Sequence, residues 1–169
     1  MLMSKKSYSK HRILFPSTDN FHSPKKILLL MPHIFSIHIY YEDTDHSGVV
    51  YHANYLRFFE RAREHMFGIQ ALVNLYRNDG IGFVVYQAQM QFKKGAEFGD
   101  EVIIRSTVTK ESRYRLIFHQ QAWKESQDSQ ELLVDAYIHL ACVSATKKLV
   151  PLPTVVLQKL SLHEYFITS

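Results

Sequence analysis

A chain of 169 residues, 46% hydrophobic and 13% aromatic, suits one domain with one core. Only 21% of residues are charged and the mean hydropathy is −0.17, which argues against disorder of the whole chain; no apolar run approaches the roughly 18 residues of a membrane span. The net charge of +4 arises in residues 1–30, with six Lys and Arg against one Asp, whereas the remainder carries 14 basic and 15 acidic residues and lacks the basic excess of a nucleic-acid-binding domain.

Residues 1–30 mix Ser, Lys, His, Asn and two Pro with no sustained period of 2 or 3.6, the composition of a disordered N-terminal extension. The apolar run 27–31 is too short for a secretory signal and has no small-residue cleavage site. Met31 directly precedes the first patterned strand and is a candidate translation start. Cys142 is the only cysteine, so no internal disulfide can form, which fits a reducing compartment such as the cytoplasm.

From residue 34 to 42 the alternation places Phe35, Ile37, Ile39 and Tyr41 on one face of a strand. Residues 40–63, reading YYEDTDHSGVVYHANYLRFFERAR, then hand this strand over to a helix. Two acids, Asp43 and Asp45, precede a turn at Gly48 and a short apolar link, and His52 and Asn54 are polar residues of the kind found at helix starts. Free N–H groups at such a start carry partial positive charge and can polarise a carbonyl. A carboxylate held beside them is suited to attack on an acyl group. Asp43 is read as a structural hydrogen-bond partner and Asn54 as a helix cap. Downstream, Tyr55, Phe59, Ala62, Met66, Ile69, Val73 and Tyr76 follow a 4-3-4-3 spacing that predicts one long buried helix, with Leu56, Phe58, Phe67 and Leu72 widening its apolar face.

Beyond the turn signal Asp79-Gly80 everything reads as strand. Val84, Tyr86, Ala88, Met90 and Phe92 alternate with Val85, Gln87, Gln89 and Gln91, and residues 95–100 form a turn. Val102, Ile104 and Val108 mark a third strand and Leu116, Phe118 and Ala122 a fourth. After a polar turn at 125–130, the series Leu132, Val134, Ala136, Ile138, Leu140 and Cys142 gives the longest alternation. Pro151 and Pro153 end the sheet, and residues 154–166 are expected to form a short terminal helix. The expected fold class is α+β: one curved antiparallel sheet of about five strands wrapped around one long central helix, with short connections between neighbours. This domain is expected to span residues 31–169.

The run YYEDTD-x-x-GVVYHANY, followed by F-x-E-R-A-R, resembles the YbgC-type acyl-CoA thioesterases, hot-dog-fold proteins related to 4-hydroxybenzoyl-CoA thioesterase. The order of elements from about residue 32 to 160 is similar, and residues 97–100 (EFGD) resemble a turn found in such proteins; residues 1–30 lie outside the likeness. His46-Ser47 stands where members of the family often have small residues such as Ala-Gly. The resemblance implies hydrolysis of an acyl-CoA thioester to free acid and CoA, without a metal or redox cofactor. It implies that Asp45 is the catalytic acid residue and that His52 stands where a backbone N–H meets the thioester carbonyl. Val50, Tyr51 and Asn54 beside them are the candidate substrate contacts. Whether Asp45 attacks directly or activates water is left open. Because hot-dog active sites generally lie at dimer interfaces, a homodimer or homotetramer is implied.

The same residues allow other readings. Another hot-dog branch uses a carboxylate on the helix, which would make Glu60 or Glu64 the nucleophile. Asp43, Asp45, His46 and His52 include metal-ligand types but in no recognised spacing. Lys93, Lys94, Arg113, Arg115, Lys147 and Lys148 are potential contacts for CoA phosphates, although strand-end lysines and arginines are mostly solvated. No G-x-S-x-G motif is present, and Cys142 falls on an apolar face. The functional alternative is a non-catalytic acyl-binding or scaffold protein of the cell-envelope or phospholipid-synthesis machinery, since the family includes Tol-Pal-associated proteins. An acyl carrier protein could replace CoA as the acyl donor. A hot-dog hydratase is the third possibility, but its helix signature is missing.

Overall fold

The long apolar helix expected after His52 forms, but as two pieces: α1 (Asn54–Phe67) and α2 (Ile69–Asp79) in the computed structural model. The structure describes residues 31–125, 129–161 and 166–168; the extension expected at 1–30 lies outside these. Gly68 causes the break, with φ +84° and ψ +116°, a conformation costly for any residue with a Cβ. The helical phase resets there. Before the break, Tyr55, Phe58, Phe59, Ala62, Met66 and Phe67 are buried. After it, Ile69 and Tyr76, expected on the same stripe, are 54% and 64% exposed, while Leu75 points inward.

The remaining described elements are β1 (His33–His38), a 3-10 turn (Tyr41–Asp43), β2 (Ile81–Phe92), β3 (Glu101–Lys110), β4 (Arg115–Glu125), β5 (Gln130–Ser144), α3 (Thr154–Ser161) and β6 (Phe166–Thr168). The five long strands form an antiparallel sheet in the order β1-β3-β4-β5-β2, and β6 pairs parallel with β3 beyond the end of β1. The β2–β3 link is therefore no hairpin: residues 93–100 carry the chain from one edge of the sheet across to β3. Phe166, expected at the end of the terminal helix, begins β6 instead.

Alternation along the strands turns Val102, Ile104 and Val108, Leu116, Phe118 and Ala122, and Val134, Ala136, Ile138 and Leu140 toward α1. Removing each of the larger of these side chains from water stabilises the fold by about 1.5–3 kcal/mol. Two bulges interrupt the alternation. In β5 the register passes from Ala122↔Val134 to Trp123↔Leu132, so Leu133 is the extra residue and Leu132 turns to the face opposite Val134. In β2 the extra residue is Tyr86, between Val85↔Leu140 and Gln87↔His139. Val85, not Val84 or Tyr86, therefore shares a face with Ala88, Met90 and Phe92. A single inserted residue inverts the phase of everything on one side of it, which the one-face reading of these strands missed.

Two buried polar groups bind the helix to the sheet. Arg63 is 3% exposed; its Nη1 donates to Gln120 Oε1 (2.7 Å) and its Nη2 to Glu60 Oε2 (2.6 Å). Gln120 Nε2 in turn donates to the Phe59 carbonyl (3.1 Å) and to Ser106 Oγ (2.9 Å). Burial draws the guanidinium pKa below its ordinary value, with Glu60 opposing that shift.

Candidate functional site

The 3-10 turn comes first. Residues 40–42 were expected to prolong β1, but Asp43 Oδ2 accepts a hydrogen bond from the Tyr40 amide (2.9 Å) and the Asp43 and Thr44 amides donate to the Tyr40 and Tyr41 carbonyls (3.0 and 3.2 Å). These local bonds coil the chain, and Tyr41 swings out to 77% exposure, stacked on Phe98 with ring centroids 4.4 Å apart. The Asp43 carbonyl then receives the Tyr51 amide (2.8 Å) and Asn54 Nδ2 (3.0 Å). Asp43 thus has the structural part expected of it. Asn54 is no cap: it is the first residue of α1, and its side chain donates to the turn. This fastens the start of the helix to the strand end.

Between these two anchors the chain makes a tight hairpin. Thr44 pairs with Val50, the Asp45 amide donates to the Val49 carbonyl (2.9 Å), and the Gly48 amide donates to the Asp45 carbonyl (3.0 Å). Gly48 has φ +83°, the left-handed region the turn demands. The hairpin is braced from outside, since Val49 bridges Glu97 and the Val50 amide donates to the Ala96 carbonyl (2.8 Å). Gly95 approaches so closely that a Cβ there would sit 2.7 Å from Val49 Cγ1. The turn expected at 97–100 forms, with Asp100 Oδ2 accepting from the Glu97 amide (2.8 Å) and from Lys124 Nζ (2.7 Å).

Asp45 stands on this braced hairpin with its carboxylate exposed. Its Oδ1 accepts from the Ser47 amide (2.8 Å) and the Ser47 hydroxyl (2.5 Å). These bonds, helped slightly by His46 and His52, hold its pKa below the ordinary 3.8 against a small opposing effect of burial. Seven residues on, the His52 amide donates to no group among the described residues, as expected for a helix start whose first N–H groups lack intrahelical acceptors. The His52 ring is exposed, tilted against Tyr51 (4.4 Å) and edge-on to Phe92 of β2 (6.2 Å). Tyr51 is 45% exposed, whereas Val50, expected among the substrate contacts, lies in the core at 4%.

Several of the competing groups are engaged elsewhere. Glu60 is paired with Arg63, and among the described residues no three His, Cys, Asp or Glu side chains cluster as metal ligands would. Cys142 is buried, and desolvation pushes its thiol up to about 11. Of the basic residues considered for phosphate, Lys94 is paired with Glu131, Lys93 bonds Gln91 (2.9 Å), and the Arg115 guanidinium lies over Tyr86. A half-open cavity of about 160 Å³ lies between the helices and β2, bordered by Arg63, Phe67, Tyr76 and Phe83, and includes neither Asp45 nor His52. Sequence reading overlooked Arg63, Gln120 and Ser106. Their signal was positional: Arg63 falls four residues after Phe59, and Gln120 alternates with Phe118 and Ala122.

Residues 40–160 match the thioesterase-like superfamily. The chain is similar to the acyl-CoA thioester hydrolase YbgC of Escherichia coli O6:H1, 34% identical over 116 residues, 66% of this chain and 81% of the relative. Among solved structures, a 1,4-dihydroxy-2-naphthoyl-CoA thioesterase from Synechocystis superposes with a TM-score of 0.70 at 24% identity, covering 76% of this chain and 95% of the other. A 4-hydroxybenzoyl-CoA thioesterase bound to 4-hydroxybenzoyl-CoA superposes at 0.69 with 16% identity, over 75% and 96% of the two chains. A sheet of five antiparallel strands curled about α1, a braced acid hairpin at the helix start and a family match over most of the chain agree: the chain belongs to the thioesterase-like superfamily and has the hot-dog fold.

Proposed function

We propose that the protein hydrolyses the thioester of an acyl-CoA to a free acid and CoA, with Asp45 as the acting carboxylate and the His52 amide polarising the carbonyl. The observation that carries this reading is an exposed, ionised Asp45 on a hydrogen-bonded hairpin, seven residues before an N–H at the start of α1 that meets no acceptor among the described residues. A thiolate leaves readily, so the reaction needs an anionic nucleophile or base and a polarised oxygen but no strong acid. In this reading Tyr51, exposed beside His52, borders the acyl group. The reading extends to action on cytoplasmic acyl-CoA, with the unbridged Cys142 in keeping with a reducing compartment.

The site of one chain is open, and we infer that a second copy closes it. β2 is an edge strand of 12 residues, with Val85, Tyr86 and Phe92 exposed at 46%, 43% and 50%. A long apolar edge of this kind calls for a partner strand, and Phe92 lies against His52. The test is release of free thiol from a panel of aliphatic and aromatic acyl-CoAs by purified protein, with Asp45→Asn alongside. Turnover of at least one thioester that is abolished in the folded variant supports the reading; tight acyl-CoA binding with no turnover overturns it in favour of a binding protein.

A further inference from the structure

We propose that Ser47 is a positioning residue for Asp45, fixing which carboxylate oxygen meets the substrate. This inference rests on the catalytic reading of Asp45 and deepens it. Both Ser47 donors converge on one atom: the amide at 2.8 Å and the hydroxyl at 2.5 Å each reach Asp45 Oδ1, while Oδ2 has no hydrogen-bond donor among the described residues. The amide contact comes with the turn, since the backbone from Asp45 to Gly48 is already fixed by its own bonds and by the positive φ of Gly48. The hydroxyl contact does not. An alanine would satisfy the turn at position 47 equally well, so the second donor depends on a hydroxyl there.

The effect on a carboxylate is specific. Free rotation about the Cβ–Cγ bond would present either oxygen, and an unbraced, exposed side chain would leave its reactive rotamer often. With Oδ1 held twice, Oδ2 is the oxygen that approaches the carbonyl carbon or takes the proton of attacking water. The same two bonds favour the ionised form, so the acid stays charged under mildly acidic conditions.

The test compares Ser47→Ala and Ser47→Thr with the wild type and with Asp45→Asn. Two readouts are used: the pH profile of thiol release, and titration of the Asp45 carboxyl carbon by ¹³C NMR. In Ser47→Ala the Asp45 titration and the acidic limb of kcat/KM both move to higher pH. Its plateau kcat falls by less than about tenfold with KM nearly unchanged, well short of the ~10²–10⁴ loss expected for Asp45→Asn. Ser47→Thr, which keeps a hydroxyl, tracks the wild type. An inactive Asp45→Asn together with an unmoved titration and limb in Ser47→Ala overturns the role of Ser47 alone. Full turnover by Asp45→Asn overturns the catalytic reading, and the positioning role with it.

Discussion

At the scale of single residues, the acid hairpin separates two aspartates by what their side chains touch. Asp43 spends its carboxylate on the Tyr40 amide, whereas Asp45 keeps one oxygen free of donors among the described residues. Asp45→Asn preserves size but removes charge and basicity, so kcat is expected to fall by roughly 10²–10⁴ with the melting temperature nearly unchanged. Asp43→Asn retains an acceptor for Tyr40 and should lower kcat far less. Steady-state thiol release and thermal melts on both variants check the pair. Because the folded pKa of Asp45 is depressed, the charged form persists as pH falls past 3.8, and the acidic limb of kcat/KM should lie below that value. The same shift favours the fold above pH 3.8 and is lost as pH falls through the lowered value. Cys142 runs the other way: with its thiol at about 11, against an ordinary 9.0, stability declines as pH climbs between those values, where only the unfolded chain ionises. A disulfide reagent at pH 8 should label it only as fast as the protein opens. Rapid labelling of native protein would contradict its burial.

At the scale of elements, the helix pair shows where local pattern stops being informative. Tyr55, Phe59, Ala62 and Met66 obey the helical period because one face of α1 meets the sheet, and the sequence displays this directly. Phe59→Ala or Met66→Ala should destabilise by about 2–5 kcal/mol in urea unfolding, through lost burial and a residual cavity. Gly68 was silent in the apolar pattern, which ran past it at Ile69 without interruption. Only the backbone conformation reveals the break, and Gly68→Ala should cost about 1–3 kcal/mol through strain at φ +84°. The bulges at Tyr86 and Leu133 were hidden for a related reason. Both flanks alternate properly, and the phase change shows only against the partner strand. The pairing of Arg63 with Gln120 joins residues 57 apart, and no local reading of either supplies the other. The hairpin from Asp45 to Gly48 was legible because its determinants are contiguous.

At the scale of the whole molecule, the open flank of the sheet is the part a single chain leaves unfinished. Val85→Lys places a charge on the exposed apolar side of β2 and should drive the protein toward a single-chain mass of 19.8 kDa in sedimentation. Thiol release should fall in parallel, because Phe92 of the same strand lies against His52. A wild-type protein that sediments as one chain and turns over at full rate would refute the shared-site reading. Among the described residues no helix is long and apolar enough to cross a membrane.

The order β1-β3-β4-β5-β2 also has a consequence for how the chain is made. Among the described residues β2 is the second strand in chain order, yet its one partner is β5, with pairings from Phe92↔Val134 to Ile81↔Ser144. Some 40 to 60 further residues must be synthesised before the bond between them can form. Until then Val84, Val85 and Phe92 travel without cover, on a strand able to pair with any nascent neighbour. Such remote pairing also places refolding in the range of milliseconds to seconds, not microseconds. The segment most exposed to misassembly during synthesis is therefore the one whose exposed edge we propose as the meeting place with a second copy.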